Sequence, residues 1–266
     1  MKIGFIGGGV MGEAMIRGIL NKGLTVTQDI IVNDVSAARL ASLKDDYKVA
    51  VTDDYGIAVK GSNVVVIAVK PQNLAQLMPE LEGRFARGQL VLSIVAGASI
   101  ATIASGLRHR SVVRAMPNTP AQIGQGMSVW TTSSEVSPRQ KEMARSILGA
   151  LGKEMYVPDE KYLDMATAVS GSGPGYIFLI IEALVDAAVH IGLPREMAEE
   201  LVIQTVLGAA RLAQETGKRP KELRDMVTSP GGTTAQGLLK LEEGDLGALL
   251  ARAVIAAYEK AKELGG

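Results

Sequence analysis

Apolar positions follow two regimes along this chain. Up to about residue 158, short apolar or β-branched runs alternate with stretches of helical period; beyond it only the helical period survives. Residues 2–6 predict a strand, and Met15, Ile16, Ile19 and Leu20 mark a helix through 13–22 that Gly23 stops. A strand at 29–34, a helix at 37–43, a short strand at 48–51 and a short helix at 55–60 follow. Residues 63–69 are almost continuously β-branched, as expected of a strand buried on both faces of a parallel sheet, and Pro71 ends its ladder. The next strand is expected at 90–95, with a loop at 96–98 and a short helix at 100–107. Residues 111–115 lead into Met116-Pro117-Asn118-Thr119-Pro120, whose two prolines predict an extended, rigid loop. Further strands at 127–131 and 154–157 flank a well-signalled helix, with Ser137 as N-cap, Pro138 in the first turn, Gln140 closing a capping box and Gly152 beyond the end.

From residue 159 the pattern predicts helices at 160–169, 174–191, 195–216, 220–227, 234–242 and 246–263, so a domain boundary is placed near 158. Residues 176–191 carry only Glu182 and Asp186 as charges, which leaves nearly the whole circumference of that helix apolar. Such a helix needs covering on every side. A second copy of the chain is the simplest cover, with a central helix of a monomeric bundle as the alternative.

Between the first strand and the first helix, Gly7, Gly9 and Gly12 fall at G-x-G-x-x-G spacing. Gly7 allows a sharp turn out of the strand, Gly9 removes a side chain where a pyrophosphate must approach, and Gly12 lets the helix pack close. The helix N-terminus supplies free N–H groups and partial positive charge. Asp34 ends the second strand 22 residues beyond Gly12, where an acid that accepts from a ribose is expected. The fold class is therefore an α/β Rossmann-like dinucleotide-binding domain, residues 1–158, followed by an all-α domain, residues 159–266.

Composition narrows the function further. The 28 basic and 28 acidic residues balance, so no net field draws the chain to nucleic acid or to an acidic membrane. The cluster of Arg108, His109, Arg110 and Arg114 reads as a solvated loop. With no cysteine there are no disulfides or thiolate metal sites, which fits a reducing cytosol. Residues 89–107 lack any charge over nineteen positions, but they divide into a strand, a glycine loop and a helix rather than a membrane span. Two histidines, one of them on the apolar helix, make a histidine metal cluster or a Ser–His–Asp triad improbable. Hydride transfer from a reduced nicotinamide needs little acid–base assistance and fits these residues. The helical half adds two glycine-rich interruptions. In the second, Pro230-Gly231-Gly232 before a helix presents the N–H groups of Gly232 and Thr233 as a carboxylate cradle, with Thr233 or Thr234 as the alternative N-cap.

Three motifs, Met116-Pro117-Asn118-Thr119-Pro120, Val169-Ser170-Gly171-Ser172-Gly173-Pro174 and Ser229-Pro230-Gly231-Gly232-Thr233-Thr234, stand behind the glycine fingerprint and Ala68-Val69-Lys70-Pro71. In this combination the chain resembles pyrroline-5-carboxylate reductase over essentially its whole length. The resemblance implies reduction of 1-pyrroline-5-carboxylate to L-proline with NADPH or NADH, in the cytoplasm, as the last step of proline biosynthesis. It implies that Gly7, Gly8, Gly9, Val10, Met11, Gly12, Asp34, Ala68, Val69, Lys70, Pro71, Ala96 and Gly97 line the cofactor. Gly231, Gly232 and Thr233 would hold the substrate carboxylate, Thr234 would face the ring nitrogen as the catalytic group, and Glu160 would lie near the substrate. It also implies a homodimer through the helical domain, and some members assemble five dimers into a decamer.

Two positions depart from parts of the family. Met226 stands where some members have an asparagine, and Asp34 is acidic where NADP-preferring members commonly have a small hydroxyl residue. Asp34 repels the 2′-phosphate of NADPH, a repulsion that Ser36 and Arg39 could partly offset, and so predicts that NADH is used at least as well as NADPH. A β-hydroxyacid dehydrogenase, the nearest enzymatic rival, would carry a lysine and an asparagine where Ile177 and Ile180 fall. A non-enzymatic dinucleotide sensor would not need the Pro-Gly-Gly-Thr-Thr turn.

Overall fold

The computed structural model describes residues 1–265 and divides into two compact units, one of residues 1–172 with the chain from Ala257 onward, the other Gly173–Ala256. In the first unit eight strands form one sheet: β1 (Ile3–Ile6), β2 (Ile30–Asn33), β3 (Ala50–Thr52), β4 (Val64–Ile67), β5 (Leu90–Ser93), β6 (Val112–Met116), β7 (Gly126–Thr132) and β8 (Gly152–Tyr156). Their order is β3-β2-β1-β4-β5-β6-β7-β8, parallel throughout except where β7 runs antiparallel to β6. Ile3 pairs in register with both Ile30 and Val64, so β1 lies between β2 and β4.

Strand pleating explains the β-branched run in β4. Val64 and Val66 enter a core with Phe5, Ile16, Trp130 and Leu148, whereas Val65 and Ile67 enter another with Leu77, Leu81, Ile103 and Leu107. The first core is closed by α1 (Val10–Asn21) and α6 (Pro138–Gly149), and the second by α3 (Tyr55–Val59), α4 (Pro71–Leu81) and α5 (Ile100–Leu107). Each such side chain taken from water contributes about 1.5–3 kcal/mol before chain entropy is set against it. The capping box of α6 forms as its sequence predicts. α2 (Ala37–Tyr47) and α5 end on Lys48 and Arg108 in the left-handed conformation.

Two expectations need correction. No element was expected over 71–89, yet Pro71 is the first residue of α4, where its missing N–H costs nothing. The stretch after Met116 is extended only as far as Asn118, and Thr119–Ile123 then forms a 3₁₀ turn.

The first unit also reaches past the strand pattern, through α7 (Lys161–Ala166) and a π-helical turn (Thr167–Gly171) to Ser172. Its cause is Arg114 on β6, which is 5% exposed and pairs with Glu160 at 2.9 Å and Asp164 at 2.7 Å, fastening α7 to the sheet.

The second unit is helical: α8 (Gly173–His190), α9 (Arg195–Thr216), α10 (Pro220–Met226), α11 (Thr233–Glu243) and most of α12 (Leu246–Gly265). α8 and α9 pack together through a turn at Gly192, tied by an Arg195–Asp186 ion pair at 2.9 Å. Of α8 only Val185 is buried, while Phe178 and Leu179 are 62% and 66% exposed. By length and composition the helical run Lys161–His190 could cross a membrane.

Candidate functional site

The glycine-rich turn leaves the carboxyl end of β1 with Gly7 at φ +102°, its N–H donating to Asn33 O at 2.8 Å. A Cβ on Gly7 would stand 2.6 Å from Ala68 O, and one on Gly12 2.5 Å from Gly7 O, so both positions exclude a side chain. A Cβ on Gly9 would meet nothing within 4 Å. The first hydrogen bond returning to the turn is Glu13 N–H to Gly9 O, and α1 has no side-chain cap, so the N–H groups of Val10, Met11 and Gly12 have no intrahelical acceptor. Open space over Gly9 and a row of free donors fit a pyrophosphate.

Beside this turn Asp34 follows β2. Its Oδ2 accepts from Gly8 N–H at 2.7 Å and its Oδ1 from Ser36 N–H at 2.9 Å, which fixes the carboxylate. Arg39 donates to Gly8 O and pairs with Glu13, a contact that sequence reasoning did not find. The Arg39 hydrogen bond chiefly holds the Glu13 carboxyl below the usual range, against an opposing effect of burial.

Ala68, Val69 and Lys70 follow β4, with Lys70 exposed and Pro71 opening α4. Ala96 and Gly97 follow β5, where Gly97 adopts φ +77° and lies against the carbonyl of Leu264, near the end of α12. These groups therefore share the carboxyl edge of β2, β1, β4 and β5, with the glycine-rich turn at the point where the strand order reverses direction.

Further along the same edge, Asn118 joins two of the motifs. Its Oδ1 accepts from Met127 N–H at 2.8 Å and its Nδ2 donates to Ser170 O at 2.9 Å in the π-helical turn. Glu160 is less free than expected, because Oε1 accepts both from Ile100 N–H at 2.8 Å and from Arg114. Arg108 and Arg110 are exposed as a solvated loop requires, but His109 is buried with Nε2 2.8 Å from Gln89 O. The reading of Arg114 as part of that loop is wrong: two carboxylates draw it inward. Alternation along Val112-Val113-Arg114-Ala115 does not reveal this, since all four are buried.

In the helical unit Gly231 adopts φ +72° and Gly232 caps α11 without any side-chain cap hydrogen bond. The alternative of a threonine N-cap is thereby removed. The Gly232 N–H donates to Ser229 O at 3.0 Å, which moves the exposed donors of the turn one residue along, to Thr233 and Thr234. Both threonines are exposed, as is Met226. No group of three or more His, Cys, Asp or Glu side chains that could hold a metal ion occurs among the described residues.

Residues 160–264 match the family described as pyrroline-5-carboxylate reductase dimerisation, and residues 2–97 match the family described as NADP oxidoreductase, coenzyme F420-dependent. A pyrroline-5-carboxylate reductase of Synechocystis is 43% identical over 265 residues, covering 100% of this chain and 98% of that protein. The corresponding protein of Methanosarcina acetivorans is 41% identical, covering 99% and 98%. Among solved structures, pyrroline carboxylate reductase of Plasmodium falciparum, with NADP bound, superposes with a TM-score of 0.91 at 31% identity, covering 100% of this chain and 98% of that one.

Proposed function

This chain belongs to the pyrroline-5-carboxylate reductase family, and from that premise we infer how its residues divide the work. It is an NAD(P)-dependent oxidoreductase that converts 1-pyrroline-5-carboxylate into L-proline, the last step of proline biosynthesis, with NADPH or NADH as reductant. When bound, the reduced nicotinamide supplies the hydride that adds to C5 of the ring C=N bond, and the ring nitrogen ends with the proton.

The chain's own residues bind and orient. The turn Gly7, Gly8, Gly9 and the N–H groups of Val10, Met11 and Gly12 receive the pyrophosphate, and Asp34 accepts from the adenosine ribose. Ala68, Val69, Lys70 and Pro71 after β4, with Ala96 and Gly97 after the neighbouring β5, would line the cofactor. The turn before α11 takes the substrate carboxylate: Gly231 and Gly232 shape it, and the N–H of Thr233 with its neighbour donates. The observation that carries this assignment is a helix N-terminus with exposed donors and no side-chain cap. The Thr234 hydroxyl faces the ring nitrogen and relays or holds its proton, while Glu160 lies near the substrate.

A second copy of the chain covers the apolar faces of α8 and α9, in place of lipid, and five such dimers in a decamer are the larger assembly that the family resemblance allows. The balanced charge leaves nucleic acid outside its partners, and the enzyme works in the cytoplasm. Steady-state kinetics with 1-pyrroline-5-carboxylate and each nicotinamide test the whole reading. Oxidation of NADH at least as efficient as that of NADPH is expected, with Asp34→Ser shifting the ratio toward NADPH. Absence of imine-dependent oxidation with either cofactor refutes the assignment.

A further inference from the structure

The corner beside the glycine-rich turn holds a guanidinium that is already engaged. Arg39, in the first turn of α2, donates through Nε to Gly8 O and through Nη2 to Glu13 Oε2, with Gly9 O 3.4 Å from the same nitrogen. Glu13 is fixed from its other side, where Oε1 accepts from Tyr47 Oη at 2.8 Å and from Arg17 Nη2 at 3.1 Å. Arg17 closes the chain by donating to Tyr47 Oη at 2.9 and 3.0 Å. Glu13 and Arg39 are both largely covered, at 20% and 26% side-chain exposure.

We propose that Glu13 is a specificity-determining residue, which by holding Arg39 against the glycine-rich turn withholds that guanidinium from the 2′-phosphate of NADPH. The inference rests on the reading of this turn as the dinucleotide site. A guanidinium presents a planar fork of donors that suits a phosphate or a carboxylate, and here the carboxylate has it. A 2′-phosphate arriving beside Asp34 meets a fixed negative charge and finds the nearby cation neutralised. The 2′-hydroxyl of NADH needs only an acceptor, which Asp34 supplies. Like any glutamate the Glu13 carboxyl is ionised at neutral pH, and the Arg39 hydrogen bond, which holds it below the usual range, shows which partner it keeps.

A simpler account gives Glu13 no part in selectivity, since an acid in the first turn of α1 is favoured by the helix dipole. The two accounts separate on the ratio of two binding constants, because any effect of Glu13 on the shared pyrophosphate cancels in it. Dissociation constants for NADPH and NADH are measured by calorimetry, without substrate, on the full-length wild type, Glu13→Gln, Arg39→Ala and the double variant. Glu13→Gln is expected to favour NADPH by about ten-fold in that ratio, and by less than about two-fold when Arg39 is already alanine. Glu13→Asp, which keeps the charge but shortens its reach, shifts the ratio in the same direction and serves if the glutamine variant does not fold. An unmoved ratio overturns the proposal, as does an equal shift in the Arg39→Ala background, which would assign the effect to direct repulsion. Binding of neither cofactor by the wild type would instead overturn the reading of the site itself.

Discussion

In the sheet unit the side chains of β1, β4 and β5 are sealed between helices on both faces, whereas α8 buries only Val185 within its own chain. Both regions are apolar, and what separates them is layering. A sheet flanked on each side completes its core in one chain, while the helices of the second unit leave Ile177, Phe178, Leu179 and Leu184 in contact with water. At roughly 25 cal/mol for each Å² of apolar surface, that exposure is a standing drive toward association, and the match of residues 160–264 to a dimerisation family agrees. Burial is finished by folding in the first unit and by assembly in the second.

The sharpest way to break this contrast is to place one charge in each region. Val66→Asp puts a carboxylate into a fully buried strand and is expected to cost more than about 4 kcal/mol, leaving no cooperative unfolding transition. Leu179→Asp should leave the sheet unit folded and able to bind NADH, yet reduce the mass in light scattering to that of one 28.0 kDa chain. Turnover in that variant should fall by about a hundred-fold, as misplaced binding groups cause. A Leu179→Asp protein that stays dimeric would end the argument from α8.

A smaller effect tests where the first unit stops. Arg114→Leu leaves the partly exposed Glu160 and Asp164 without their cation and should lower stability to urea by about 1–3 kcal/mol. Combining it with Glu160→Gln and Asp164→Asn should recover part of that loss, whereas an unchanged midpoint would show that α7 is not fastened to the sheet by these pairs.

Smaller again is the loss expected in the helical unit from Thr234→Ala. One neutral hydrogen bond corresponds to about ten-fold in kcat, with a larger rise in KM, if the hydroxyl positions the imine and relays its proton. A loss of about 10²–10⁴ in kcat would instead make Thr234 the general acid, and wild-type kinetics would remove it from the reaction. The smallest effect concerns acid stability of the first unit. Glu13 titrates below its unfolded value, so the stability it adds is complete above the ordinary carboxylate range and is lost as the pH falls through its lowered folded value. Glu13→Gln should flatten that acid limb by less than about 1 kcal/mol, measured by urea unfolding between neutral and acid pH.

The features readable in the sequence are those that act locally. Gly7, Gly9 and Gly12, the Ser137 capping box and the bounds of α9 each depend on neighbouring residues, and each forms as expected. α4 is harder to read because Pro71 can end a strand as well as open a helix, although Leu74, Leu77, Met78 and Leu81 repeat at helical period. The pairs Arg114–Glu160 and Arg39–Glu13 join residues 46 and 26 positions apart, and no local pattern signals contacts made by folding. The Gly232 N–H was legible as a donor but not as one already used, since that depends on the curl of the chain back to Ser229.

Lys48 and Arg108 end their helices at φ +56° and +48°, where glycine or asparagine is the usual occupant. For anyone wishing to harden this enzyme for prolonged use, these two joints are reserves left untouched. Arg108 is tied to Glu82, so relaxing its backbone forfeits an ion pair, but Lys48 makes none among the described residues. Exchange of Lys48 for glycine should therefore raise the unfolding free energy by about 0.5–1 kcal/mol, and it alters no residue assigned here to cofactor or substrate.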